Sequence, residues 1–224
     1  MKTEAFIRAS ESRWFILLFD YYVRSLFFRR FKNVWISQEY QPDSSSRTIY
    51  YLNHTSWWDG LIPFLLNQKH FRQKARAMME DKQMKRHRFF RRIGAFSVNL
   101  EKKKALVASL RYAVNSLREP GRSLFIFPEG KIVPFSTALP EFEKGLSWIV
   151  RNCPEADVVP IGVYFSYEKN HKPECYLKVG KEVILNHLES SEILHQKLQE
   201  EMMLLLIKLQ EEAHRDEHTY SRLM

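Results

Sequence analysis

The chain is poor in most of what would make it a disulfide scaffold, a fibre or a low-complexity protein. Two cysteines, Cys153 and Cys175, occur in 224 residues. That is too few for a disulfide framework and suits a reducing compartment. Seven glycines and nine prolines exclude a collagen-like or Pro/Gly-rich chain. With no internal repeat and no Gly/Ser-rich linker, this length allows one domain with an appended helix. Long hydrophobic runs are also missing. The longest clean run of the N-terminal region is Trp14 to Phe19, whereas a spanning helix needs roughly 18 or more apolar residues. The N-terminus lacks the apolar core and small-residue cleavage site of a signal peptide. No zinc spacing, RNP-like motif or recognisable DNA-binding pattern appears.

What is present is a concentrated charge and a concentration of aromatics. The formal net charge is +9. Between Lys69 and Lys104 there are 13 basic and 3 acidic residues, a net of +10, and the rest of the chain (22 basic, 23 acidic) nets −1. Such a patch attracts polyanions: nucleic acid, anionic lipid headgroups, nucleotide phosphates or an acidic carrier protein. From Ser12 to Phe31, 13 of 20 residues are apolar or aromatic, broken by Asp20 and Arg24 and closed by Arg29, Arg30 and Lys32. Aromatics beside basic residues are the pattern of a helix lying in a membrane interface; the alternative is a helix packed on the domain.

The remainder alternates between strand-like and helix-like segments. Strands are expected at Thr48–Leu52, Ala75–Met79, Ala95–Leu100, Ser123–Phe127, Val158–Phe165 and Cys175–Val179. Helices are expected at Ser56–Leu66, Lys82–Arg92, Lys102–Leu117, Glu143–Val150 and Ser190–His214. In the last, Leu194, Leu198, Met202, Leu205, Leu209 and Ala213 form a single apolar seam at spacings of three and four. The expected fold is α/β: one domain with a mixed sheet and crossover helices, an amphipathic helical N-terminal region and a long C-terminal helix. The expected boundaries are 1–46 for the membrane-interfacial region, 47–188 for the central domain and 189–224 for the C-terminal helix packed on it.

Two short segments carry chemistry. Asn53-His54-Thr55-Ser56-Trp57-Trp58-Asp59 follows a predicted strand. On a straight helix, five residues subtend about 140°, so His54 and Asp59 would diverge. At a strand-to-helix turn the two side chains converge, and a carboxylate on one ring nitrogen leaves the other free as a base. Phe127-Pro128-Glu129-Gly130 follows another predicted strand, at the kind of strand end where ligands meet open α/β sheets.

In order, NHTSWWD, GAFSVNL, FPEG and Val159-Pro160-Ile161 resemble the four blocks of the glycerolipid acyltransferase family, the lysophosphatidate acyltransferase-like group with its NHxxxxD signature. The resemblance spans about Leu52 to Val163. It implies an O-acyltransferase that moves a fatty acyl group from an acyl thioester to a lipid hydroxyl. His54 would be the general base and Asp59 its orienting partner, with no covalent acyl-enzyme and so no role for either cysteine. It implies acyl-CoA or an acyl carrier protein thioester as co-substrate, no bound cofactor or metal, and a peripheral position on the cytoplasmic face of a membrane. Glu129, Gly130, Lys131, Lys144 and Trp57 are the candidate substrate-binding residues. Lys82, Lys85, Arg86, Arg88, Arg91 and Arg92 form a basic patch for donor phosphates, a carrier protein or anionic lipid.

The chain departs from the family at two positions. Leu100 and Ile132 stand where the family usually has arginines thought to serve the acceptor phosphate, and Arg is the residue suited to bidentate phosphate recognition. The acceptor is then either lysophosphatidate, with Lys131 or Lys144 supplying a point charge, or a less charged lipid alcohol such as a glycolipid, a terpenoid or carotenoid alcohol, or an amino-acid lipid. Other readings are an acyl-thioester hydrolase on the same fold, a catalytically idle membrane-binding module, a metal-dependent hydrolase and a nucleic-acid binder. A metal-dependent hydrolase would need a third or fourth ligand beside His54 and Asp59, and no HxxxH or CxxC companion is present; a nucleic-acid binder leaves the ordered blocks unexplained. His70, His87, His171, His187, His195, His214 and His218 are scattered and read as surface or packing histidines.

Overall fold

Eight strands join one mixed sheet in the computed structural model, which describes residues 6–167, 171–186, 189–215 and 220–224. His187, His218 and the expected boundary at 188 lie outside the described residues. In chain order the elements are α1 (Arg13–Arg30), β1 (Val34–Gln38), β2 (Arg47–Leu52), α2 (Ile62–Leu66), β3 (Lys74–Glu80), α3 (Asp81–Arg86), β4 (Ala95–Val98), α4 (Lys103–Ser116), β5 (Arg122–Ile126), α5 (Gly145–Arg151), β6 (Asp157–Ser166), β7 (Glu174–Val179), α6 (Ser191–Arg215) and β8 (Ser221–Arg222). The spatial order is β4-β3-β5-β2-β6-β7-β1-β8. Neighbours run parallel except for the β6–β7 and β1–β8 pairs.

The central strands are apolar on both faces because both faces are covered. Along β2, Tyr50 and Leu52 point into one core and Ile49 and Tyr51 into the other, as a side-chain period of two requires. The first core holds Phe19, Val23 and Phe27 of α1 together with α2. The second holds α4, α5 and α6. All six residues of the predicted C-terminal seam are buried. A Cβ on Gly162 of β6 would lie 2.8 Å from Leu209 Cδ2 and 3.4 Å from Leu206 Cδ2, so this glycine is what lets α6 sit directly on the sheet.

Three local features depart from the expected elements. Residues 56–66 do not form one helix: a 3-10 turn at Trp57–Leu61 precedes α2, and a π-helical turn at Asn67–Phe71 follows it. The basic stretch also splits, into α3 and a 3-10 turn at Arg88–Ile93 that ends on Gly94 (φ 104°). The helix ends at His87 (φ −123°, ψ 55°), and a Cβ at Gly94 would meet the Ala75 carbonyl oxygen at 2.4 Å, so the turn into β4 requires a glycine. Finally, the sheet reaches past residues 47–188. β1 pairs with β7 and β8 with β1, although neither has an alternating pattern long enough to signal a strand. No helix among the described residues is long and apolar enough to cross a membrane.

A buried ion pair ties the C-terminal helix to the sheet. Lys178 of β7 is 2% exposed and its Nζ lies 2.8 Å from Glu212 Oε2 of α6. Tyr220 donates to the same oxygen, and Glu39 approaches at 3.5 Å. Removing one partner strands a buried charge. We expect Lys178→Met to lower unfolding free energy by roughly 3–5 kcal/mol, and Lys178→Met with Glu212→Leu to regain most of it, as measured by urea denaturation.

Candidate active site

The parallel β2–β5 pair brings the two chemical segments together. Tyr51 is in register with Ile126, so three residues further on, His54 and Glu129 emerge side by side at the carboxyl edge of the sheet. Asn53 holds this exit. Its buried amide donates to the Val163 carbonyl (2.9 Å) and accepts from the Val163 N–H (2.8 Å), continuing the β2–β6 ladder with a side chain in place of a peptide.

The turn after Asn53 is organised around the Asp59 carboxylate, which is fully buried. Ser56 caps the 3-10 turn: its Oγ accepts from the Trp58 N–H and donates to Asp59 Oδ1 (3.0 Å). In return, Asp59 Oδ2 accepts from the Ser56 N–H (2.7 Å), the Thr55 N–H and the Thr55 hydroxyl. This is a capping box whose carboxylate has one more neighbour: His54 Nδ1 lies 3.3 Å from Oδ2. The divergence expected on a helix is avoided because residues 53–56 are not helical. Only the ring's Nδ1 edge faces the acid. Nε2 lies on the opposite edge and has no hydrogen-bond partner among the described residues, and the side chain is 20% exposed.

The segment after β5 closes around this histidine. The Phe127 ring packs 4.4 Å from the imidazole, centroid to centroid. Glu129 Oε2 accepts from the His54 N–H at 2.7 Å, and the Val133 N–H donates to the His54 carbonyl at 2.8 Å. Gly130 turns the chain in the left-handed region (φ 67°). A Cβ there would meet Glu143 Cγ at 3.3 Å and Leu100 Cδ1 at 3.5 Å, so the GAFSVNL segment also reaches the site. Burial pushes the Glu129 carboxyl up to about 7, against the lowering effect of the His54 N–H. Lys131 bears on it as a nearby positive charge.

Of the residues singled out in the sequence, His54, Asp59, Glu129 and Gly130 come together. Lys131 and Lys144 are exposed beside them; the Glu143 N–H, one residue before Lys144, donates to the Pro128 carbonyl. Trp57 is exposed, with its ring 5.4 Å from Trp58, which packs on Phe27 and Phe31. The basic patch divides. Lys82 pairs with Glu101 and Lys85 with Asp81, whereas Arg88, Arg91 and Arg92 line a cleft with Ser10, Ser12 and Trp14 at the start of α1. Sequence reasoning missed Asn53, Phe127 and Val133 as parts of the site. Asn53 and Phe127 lie inside the recognised segments; nothing in the sequence signals Val133. Cys153 and Cys175 are buried and unpaired, and burial pushes both thiols up.

The raised Glu129 pKa makes stability pH-dependent. The folded chain holds this proton more tightly than the unfolded chain. Its contribution is therefore complete below the ordinary carboxylate value and is lost as pH rises through about 7. Thermal melts should show Glu129→Gln gaining stability relative to the parent protein between pH 4.5 and pH 8, with no further gain above that.

The chain is similar to known proteins in sequence family and in fold. A sequence model of the acyltransferase family matches residues 30–164. The crystal structure of the 1-acyl-sn-glycerophosphate acyltransferase PlsC from Thermotoga maritima superposes with a TM-score of 0.59 at 20% identity, covering 88% of this chain and 78% of that one. At that identity the likeness is one of fold. No curated protein matches the chain. The family match covers more than half the chain and takes in both segments that build the site, so the chain belongs to the acyltransferase family.

Proposed function

We propose that the protein transfers a fatty acyl group from an acyl thioester to the hydroxyl of a lipid alcohol, with His54 as general base. The observation that carries this reading is the His54–Asp59 pair: Nδ1 against a buried carboxylate, Nε2 turned to the open edge. Nε2 takes the acceptor's hydroxyl proton as the oxygen attacks the thioester carbonyl carbon. The C–S bond then breaks, and the leaving thiolate recovers the proton from the imidazolium. Attack is direct, so no side-chain nucleophile is used. The donor is acyl-CoA or an acyl carrier protein thioester.

The acceptor we propose is less charged than lysophosphatidate. Leu100 and Ile132 are both exposed, and Leu100 packs beside Gly130, so two apolar side chains stand at the mouth of the site. The protein would work from the membrane surface, on the cytoplasmic side. The outward face of α1 presents Trp14, Leu17, Leu18, Tyr21, Tyr22 and Phe28 to solvent. Phe89 packs on Phe15 and Phe19, and the Arg92 guanidinium lies over Trp14 and Phe15. Apolar side chains bordered by arginines suit the headgroup region of an anionic bilayer.

Labelled palmitoyl-CoA offered in detergent with lysophosphatidate, monoacylglycerol and a glycosylated lipid alcohol tests the chemistry. His54→Ala should lower transfer by about 10²–10⁴-fold, and Asp59→Asn by up to about 10⁴-fold through loss of imidazole orientation. Release of free fatty acid in place of an acylated lipid would indicate hydrolysis, and a strong preference for lysophosphatidate would overturn the acceptor proposal. Exchanging Leu17 and Tyr21 together for Asp should weaken sedimentation with phosphatidylglycerol vesicles by about tenfold or more, while His54→Ala binds as the parent protein does.

A further inference from the structure

Seven residues after β5 hold His54 at three points. Phe127 packs on its ring, Glu129 accepts from its N–H, and the N–H of Val133 donates to its carbonyl. The left-handed turn at Gly130 is what allows Glu129 and Val133 to reach back to the same residue from opposite sides. One residue earlier, Asn53 is locked to both backbone groups of Val163. The peptide groups on either side of the His54 Cα are thereby fixed. Of the remaining freedom, the swing of the imidazole, Asp59 and Phe127 fix the end point.

From this we infer that Glu129 is a positioning residue for His54: its carboxylate sets the backbone, and through it the imidazole, without contacting the acceptor. The proposal rests on the reading of His54 as the base. Two observations favour positioning over substrate binding. The carboxylate is largely withdrawn from solvent, its charge opposed by burial. Its bond to the His54 N–H joins the ends of two adjacent parallel strands, β2 and β5, so its length is set by the sheet and not by a ligand.

The two roles separate in kinetics with labelled palmitoyl-CoA and the best acceptor of the panel above. A glutamine still offers a carbonyl oxygen to the His54 N–H, whereas an alanine does not. Glu129→Gln should keep kcat within about threefold of the parent. Glu129→Ala should lower kcat by about 10²-fold, the cost of an ångström-scale misplacement of a reacting group, with both KM values within about twofold. Val133→Pro, which removes the other backbone donor, should reproduce the kcat loss. A higher acceptor KM in both Glu129 variants would overturn the proposal in favour of substrate binding. Unchanged kcat in Glu129→Ala, with His54→Ala inactive, would overturn the positioning role alone. Full activity in His54→Ala would overturn the base and this proposal with it. A substrate-free check is the imidazole NMR signal of His54, assigned by its loss in His54→Ala. It should move in Glu129→Ala and stay in Glu129→Gln; an unmoved signal in Glu129→Ala also overturns the proposal.

Discussion

A buried carboxylate has to be supplied with hydrogen bonds, and the structure around the site follows from how Asp59 obtains them. Left unpaired, such a group would cost several kcal/mol or more. Here the donors are the backbone and hydroxyl groups of Thr55 and Ser56, the residues directly after the histidine. The turn that satisfies the acid is therefore the turn that presents the base. A regular helix from residue 54 would leave these first-turn N–H groups without intrahelical partners and set His54 and Asp59 about 140° apart. The capping box at Ser56 and Asp59 stops that from happening.

The second determinant is the placement of β2 between β5 and β6. Each neighbour contributes to one histidine: β5 through Phe127 and Glu129, β6 through the Val163 backbone that holds Asn53. The third contact, from Val133, depends on a positive φ at Gly130. The remaining elements support this edge. Helix α6 lies on β6 over Gly162, clipped by Lys178 and Glu212. Helix α1 covers the other face of the sheet and reaches the motif turn through Trp58, wedged against Phe27 and Phe31. The helix with the exposed aromatic face is thus packed one residue away from Asp59.

Much of this was legible in the order of residues. The strands that carry the site, Thr48–Leu52 and Ser123–Phe127, stand out as short apolar runs ending in polar turns, and they are observed within a residue or two of those limits. The seam of α6 was readable because one buried stripe on a charged helix has an unmistakable period. What was not legible depends on partners distant in sequence. β1 is a strand because β7 lies beside it, and β8 because β1 does. The basic stretch reads as one helix, but its backbone leaves the helical region at His87 and resumes as a 3-10 turn that leads into β4.

The sequence by itself determined the chemistry available: a histidine and an acid five apart after one strand, and a Pro-Glu-Gly turn after another. These are statements about residue type and local spacing, and local spacing is what a chain carries before it folds. Only the tertiary structure decided which atoms meet. Strand order put residues 54 and 129 in register, turned the Glu129 carboxylate onto a backbone N–H, and drew Val133 in from a segment with no pattern of its own. It also divided the basic patch, leaving Lys82 and Lys85 in ion pairs and Arg88, Arg91 and Arg92 beside α1. Hydrogen bonds and charge pairs act over a few ångströms, and which groups come that close is set by the packing of the whole sheet.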